Sequence, residues 1–171
     1  MKKIILTFGI IAGLICGSMF FIGHSETPDF DNGMIIGYLS MIIALSTIFF
    51  ATKQYRDKYN DGTINFGKAF QLGIGITLVA TVIYVISWEI YYTNFAPDFT
   101  DQYLDYMKEG LADQGKTPEE IASEISGTEE MMQNYKDNTL MRLGLTATEI
   151  LPVGLIITLI SSFVFGKLIK K

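Results

Sequence analysis

The twenty residues Ala69–Trp88 read AFQLGIGITLVATVIYVISW and hold neither a charge nor a proline. A helix rises about 1.5 Å per residue, so roughly 20 apolar residues cross the hydrocarbon core of a bilayer. Three further apolar runs match it, Ile4–Ile22, Gly33–Ala51 and Leu143–Phe165, and of the four only the last admits a charge, Glu149. The 171-residue chain is therefore expected to be all-α, a single four-helix transmembrane bundle. Extended to their helical ends, the spans are placed at about residues 4–22, 33–51, 66–93 and 141–167. Between them lie a cytoplasmic loop at about 53–65 and a small helical extracytoplasmic insertion at about 97–138.

Charge orients the bundle. Lys2, Lys3, Lys53, Arg56, Lys58, Lys68, Lys167, Lys170 and Lys171 must share one side, because the two ends and the middle loop of a four-span chain do so. The other side has Lys108, Lys116, Lys136 and Arg142. Basic residues beside spans favour the cytoplasm, which predicts that both termini and the middle loop are cytoplasmic, in the bacterial inner membrane. Setting Glu89 and Glu149 aside, fourteen of the eighteen acids fall in the two outer loops, and only Asp57 and Asp61 in the inner one. The net charge of −5 is thus mostly an acidic outer surface, and no basic stripe suggests nucleic acid. Met1-Lys2-Lys3 ahead of an apolar run also opens secretory signals. The long apolar part and the mediocre cleavage site at Cys16-Gly17-Ser18 favour a retained span instead. Cys16 is the only cysteine, so no internal disulfide can form.

Helices in lipid associate through close packing and polar contacts, so small residues four apart mark approachable faces. Span one has Gly9, Gly13 and Gly17, span two Gly33 and Gly37, and span three Ala69, Gly73, Thr77 and Thr81. These ridges suit packing within one chain or a seam between copies. Trp88, Tyr91 and Tyr92 cluster at the outer end of span three, where amphipathic rings anchor at headgroup level. Pro152 predicts a kink near Thr148, with Thr146 and Thr148 at hand for the freed carbonyl.

Two glutamates break the pattern. Glu149 lies seven residues beyond Arg142, or about 10 Å by helical rise, and Glu89 lies at similar depth on span three. An ionised side chain in a membrane is costly, so it faces the bundle interior or a wet cavity and takes a partner. Glu89, Arg142 and Glu149 are therefore the candidate intramembrane polar site. They could form an ion pair, hydrogen-bond to Thr, Tyr or Trp, share a proton, or bind a cation; Glu89 could also simply reach water.

In the middle loop, Asn60-Asp61-Gly62 signals a turn and Asn65 is placed to cap span three, so Tyr55–Phe66 could form a small hairpin under the membrane. Its basic residues could instead only contact anionic lipid. In the outer loop, Pro97 suits a helix start, with apolar spacing from Phe99 to Leu111 that Gly115 ends. Thr117-Pro118-Glu119-Glu120 is a capping box that opens a second helix to about Ser126, with Gly127 as its stop. A third, from about Glu129 through Tyr135, is expected to lead directly into span four. Asp98, Asp101, Asp105 and Glu109 share a helical face that reads as solvated, since no calcium-loop pattern accompanies it. His24 is the only histidine and is read as interfacial; it supplies no zinc ligand set. No phosphate loop, nucleophile elbow or triad is present, which points to no enzymatic activity, no metal and no cofactor.

Two stretches carry a family likeness: Tyr55-Arg56-Asp57 with Gly62 through Phe70, and Glu149 through Gly154 leading into Leu159-Ile160-Ser161-Ser162. On these the chain resembles a family of small bacterial four-span membrane proteins known as domain of unknown function 4199. The resemblance implies a multi-pass inner-membrane protein of uncharacterised activity and carries over no catalytic residue. It also implies that Arg56, Asp57, Gly62, Phe66 and Glu149 belong to the family pattern. The leading functional expectation is a non-enzymatic bundle that assembles with itself or another membrane protein. The alternative is a small transporter or channel subunit, in which Glu89 and Glu149 line a proton or cation path. Four spans would then need an oligomer, and no inverted repeat is visible between the halves. An enzyme acting on lipid is more distant, because nucleophile and base would have to come from Ser, Thr and carboxylates.

Overall fold

A computed structural model describes residues 1–22 and 29–166. His24, Lys167, Lys170 and Lys171 lie outside the described residues. Among the described residues the chain is helical without strands: α1 (Lys2–Ile22), α2 (Phe30–Leu45), α3 (Thr47–Tyr59), α4 (Phe66–Phe95), α5 (Phe99–Asp113), α6 (Pro118–Asp137) and α7 (Thr139–Phe165). Four helical stretches are long and apolar enough to cross a membrane: α1, α2 with α3, α4, and α7. The surface has the inverted polarity that lipid selects. Leu14, Ile43, Phe50, Val82, Ile156 and Phe163 coat the outside, while Thr52, Thr77, Thr158, Ser161 and Ser162 are buried. This is a membrane protein.

α4 is the central helix, flanked by α1 and α7. α1 lies along it through its glycines. A Cβ added to Gly9 would come within 2.6 Å of Val79, and one added to Gly13 within 2.7 Å of Ile83. Gly17 meets Ser87 as closely, so only hydrogen side chains allow this approach. On the other flank, Gly73 faces Thr158 and Gly154 faces Thr77, which sets α4 and α7 antiparallel in one register. Hydroxyls stitch α7 to both neighbours: Thr77 of α4 and Thr158 lie 3.5 Å apart, and Ser161 donates to Thr52 of α3 at 3.2 Å. Gly33 and Gly37 behave differently. A Cβ at either would meet nothing within 4 Å, so neither glycine serves a close approach within the described chain.

Several expectations about element ends need correction. The second span extends beyond 33–51 and is interrupted at Ser46, whose hydroxyl donates to Ile42 O at 2.6 Å while that of Thr47 donates to Ala44 O at 2.7 Å. Such back-bonding loosens the ladder that the next turn would continue. Pro152 lies inside α7 without ending it. The Thr146 and Thr148 hydroxyls serve Arg142 O and Leu145 O, not the carbonyl that the proline frees. Instead of a separate hairpin beneath the bundle, α3 continues to Tyr59 and a short turn leads to α4. Asp61 and Gly62 take φ of 50° and 72°, Gly62 N–H donates to Arg56 O at 2.9 Å, and Asn65 caps α4 through Lys68 N–H at 2.8 Å.

Gly127 does not stop a helix. α6 is one helix from Pro118 to Asp137, and Gly127 lies within it without the left-handed backbone that commonly terminates a helix at glycine. Gly115, at φ 82°, does so and ends α5. α6 also does not flow into α7: Asn138 is extended and caps α7 through Met141 N–H at 3.1 Å. The capping box at Thr117 and Glu120 forms in both directions. Ion pairs Asp101–Lys136 and Lys108–Glu129, with Lys116–Glu124 from the connecting turn, step down α6 as they step along the chain from α5, so the two helices form an antiparallel hairpin capping one end of the bundle.

Candidate functional site

Where the cap meets the bundle, Arg142 in the first turn of α7 reaches back to α4 and to the end of α6. Its Nε and Nη2 both donate at 2.7 Å to the two carboxylate oxygens of Glu89. Nη1 donates to the carbonyls of Tyr135 (2.8 Å) and Lys136 (3.2 Å), and Nη2 also to Thr139 Oγ1 at 3.2 Å. A guanidinium has five N–H donors, and here five acceptors meet it. Arg142 is only 4 % exposed, and its charge lies 4.5 Å above the Tyr92 ring. The two carbonyls are among those that the end of α6 leaves without intrahelical donors, so one side chain closes α6, starts α7 and holds both to α4.

Aromatic rings complete this junction. Trp88 Nε1 donates to the Tyr135 hydroxyl at 2.6 Å, Tyr92 meets Tyr135 edge-on at 5.7 Å, and Trp88 meets Phe99 of α5 at 5.1 Å. Burial pushes the Tyr135 phenol up to about 12. Trp88 and Tyr92 therefore knit the cap to the bundle; Tyr92 is buried against protein and is not a lipid-facing anchor. Its hydroxyl has no hydrogen-bond partner among the described residues.

Glu149 is set apart from that pair. It lies two turns below Arg142 on the same face of α7, and it accepts a hydrogen bond from Tyr84 of α4 at 3.0 Å. The expected trio thus resolves into two rungs between antiparallel helices, Glu89–Arg142 and Tyr84–Glu149. Tyr84 is buried while Glu149 is exposed. α2 packs against α7, and Tyr38 is exposed on α2 one residue after Gly37. Sequence reading named the three charged residues but missed Tyr84 and Tyr135. A tyrosine inside an apolar run, five residues before Glu89, is the signal that could have found the first.

The turn residues of the family pattern lie at the opposite end. Arg56 bonds to Asp57 at 2.6 Å and sits 5.2 Å over the Phe165 ring, and Phe66 packs on Phe163 at 4.9 Å. They fasten the α3–α4 turn to the end of α7, far from Glu149. Among the described residues no three of His, Cys, Asp or Glu gather as a metal would require; within the acidic face, Asp101 pairs with Lys136.

No curated protein and no solved structure matches the chain. A family model described as protein of unknown function (DUF4199) matches residues 7–167. With that match covering nearly its whole length, the chain belongs to the DUF4199 family.

Proposed function

We propose that this is a multi-pass protein of the bacterial inner membrane, with both termini cytoplasmic, that catalyses no reaction and acts by assembling with itself or another membrane protein. The observation that carries this is the contrast between its glycine ridges. Gly9, Gly13, Gly17 and Gly73 are used up against neighbours, whereas Gly33 and Gly37 face nothing. Met34 beside them is exposed, and so is Glu149 on α7, the helix against which α2 packs. Small-residue ridges let helices approach, so the first half of α2 is the natural contact surface. A transport reading needs both glutamates free to exchange cations or protons. Glu89 is clamped by two charge-assisted bonds, which favours assembly.

The test is in-membrane crosslinking with single cysteines in a Cys16→Ser background. Gly37→Cys is expected to capture a consistent neighbour, and Leu78→Cys on the exposed face of α4 is expected to capture none. Monomers alone from both positions would sink the reading.

A further inference from the structure

We propose that the partner at this face is a transmembrane helix carrying a lysine or arginine at the depth of Glu149, so that assembly is completed by an intramembrane ion pair. The inference rests on the assembly reading above and names the partner's chemistry.

A carboxylate offers about four acceptor positions. Among the described residues Glu149 receives one hydrogen bond, from Tyr84, and is otherwise exposed, on a helix that packs against α2. When ionised, such a group in lipid needs a counter-charge or a wet cavity. Among the described residues no side chain supplies the counter-charge. Lys53, Arg56, Lys58 and Lys68 are at the far end of the bundle. Arg142, the one basic residue at the near end of α7, has all its donors committed to Glu89, Tyr135, Lys136 and Thr139. Among its described residues a second copy would bring the same saturated arginine, so charge complementarity selects a different chain. Small residues at Gly33 and Gly37 give a neighbouring backbone room to come close, and Tyr38 stands beside the approach. The contact would thus combine a close-packed ridge with a single charge pair.

The experiment uses the full chain in phosphatidylcholine vesicles, fluorescently labelled at Tyr59→Cys in the Cys16→Ser background. The probe is a leucine-rich transmembrane peptide with one lysine about 10 Å inside its outer end, compared with the same peptide bearing leucine there. Energy transfer is expected to show at least tenfold tighter association for the lysine peptide. Glu149→Gln, which still accepts from Tyr84, should bring the two peptides to equal affinity, while Glu149→Asp should keep part of the preference. Gly37→Leu should weaken both peptides. Equal binding of the two peptides to the unmodified protein, with loss on Gly37→Leu, would overturn the ion pair and leave the assembly reading intact. Transfer between two labelled copies that Glu149→Gln removes would overturn the choice of partner in favour of a second copy. No association in any combination would overturn both readings.

Discussion

Arg142 shows how much one buried side chain can organise, and its removal should cost more than removal of its ion-pair partner. Glu89→Gln keeps a polar group beside the guanidinium and leaves the other three acceptors served. Arg142→Ala strands the Glu89 carboxylate, the carbonyls of Tyr135 and Lys136, and the Thr139 hydroxyl together. Breaking a buried pair from one side costs about 3–5 kcal/mol, and a typical hydrogen bond about 1 kcal/mol. Thermal unfolding in detergent should therefore rank Arg142→Ala well below Glu89→Gln; equal losses would show that the carbonyl contacts contribute nothing. Tyr92→Phe should go the other way, leaving Tm unchanged or slightly raised, because it deletes a buried hydroxyl without a partner and keeps the ring under Arg142. The charged members of this site were legible in sequence, since ionised residues in or beside apolar runs are few. Their pairing was not. Helical rise gives depth along an axis, but which helix faces Arg142, and at what register, is fixed by the contacts of Gly73 and Gly154 with threonines on opposite helices.

At the scale of elements, starts were read better than stops. Capping at Thr117 and Asn65 needs only side chains within three residues of each other, so the signal is local. A glycine carries no such signal, because its role depends on the φ it adopts, and Gly115 and Gly127 look alike in sequence. Since Gly127 is inside α6 and a Cβ there meets nothing, Gly127→Ala should stabilise the cap by about 1 kcal/mol, visible as slower amide exchange along α6. Faster or unchanged exchange would show that the residue does more than extend the helix. The capping box makes a pH-dependent contribution of known sign. The Thr117 backbone N–H holds the Glu120 carboxyl below its ordinary value, so its stabilisation is present above that ordinary value and is lost as pH falls through the depressed one. Acidification should thus loosen the start of α6, and Glu120→Gln should remove that acid step from the exchange profile of Ile121 and Ala122. An unaltered step would assign it to another carboxylate.

Across the whole molecule, four apolar runs set the class, and the same glycine spacing in α1 and α2 concealed two different uses. Spacing reveals that a face can be approached. It does not reveal what approaches it. On α1 the approach is made by α4 of the same chain, with Gly13 against Ile83 and the Ala80 backbone, so a larger side chain has nowhere to go. On α2 the facing space is open at Gly33 and Gly37. The pair Gly13→Leu and Gly37→Leu separates the two uses in one experiment. Overpacking a close interface costs about 1–3 kcal/mol or more, whereas replacing an exposed helical glycine gains up to about 1 kcal/mol of helix propensity. Gly13→Leu should lower Tm in detergent and reduce the yield of folded monomer. Gly37→Leu should leave Tm equal or higher and yet abolish capture by a crosslinking cysteine elsewhere on the same face, such as Met34→Cys. If Gly37→Leu instead lowers Tm as far as Gly13→Leu does, then the α2 ridge packs within the chain, and the contact surface for assembly must be sought elsewhere.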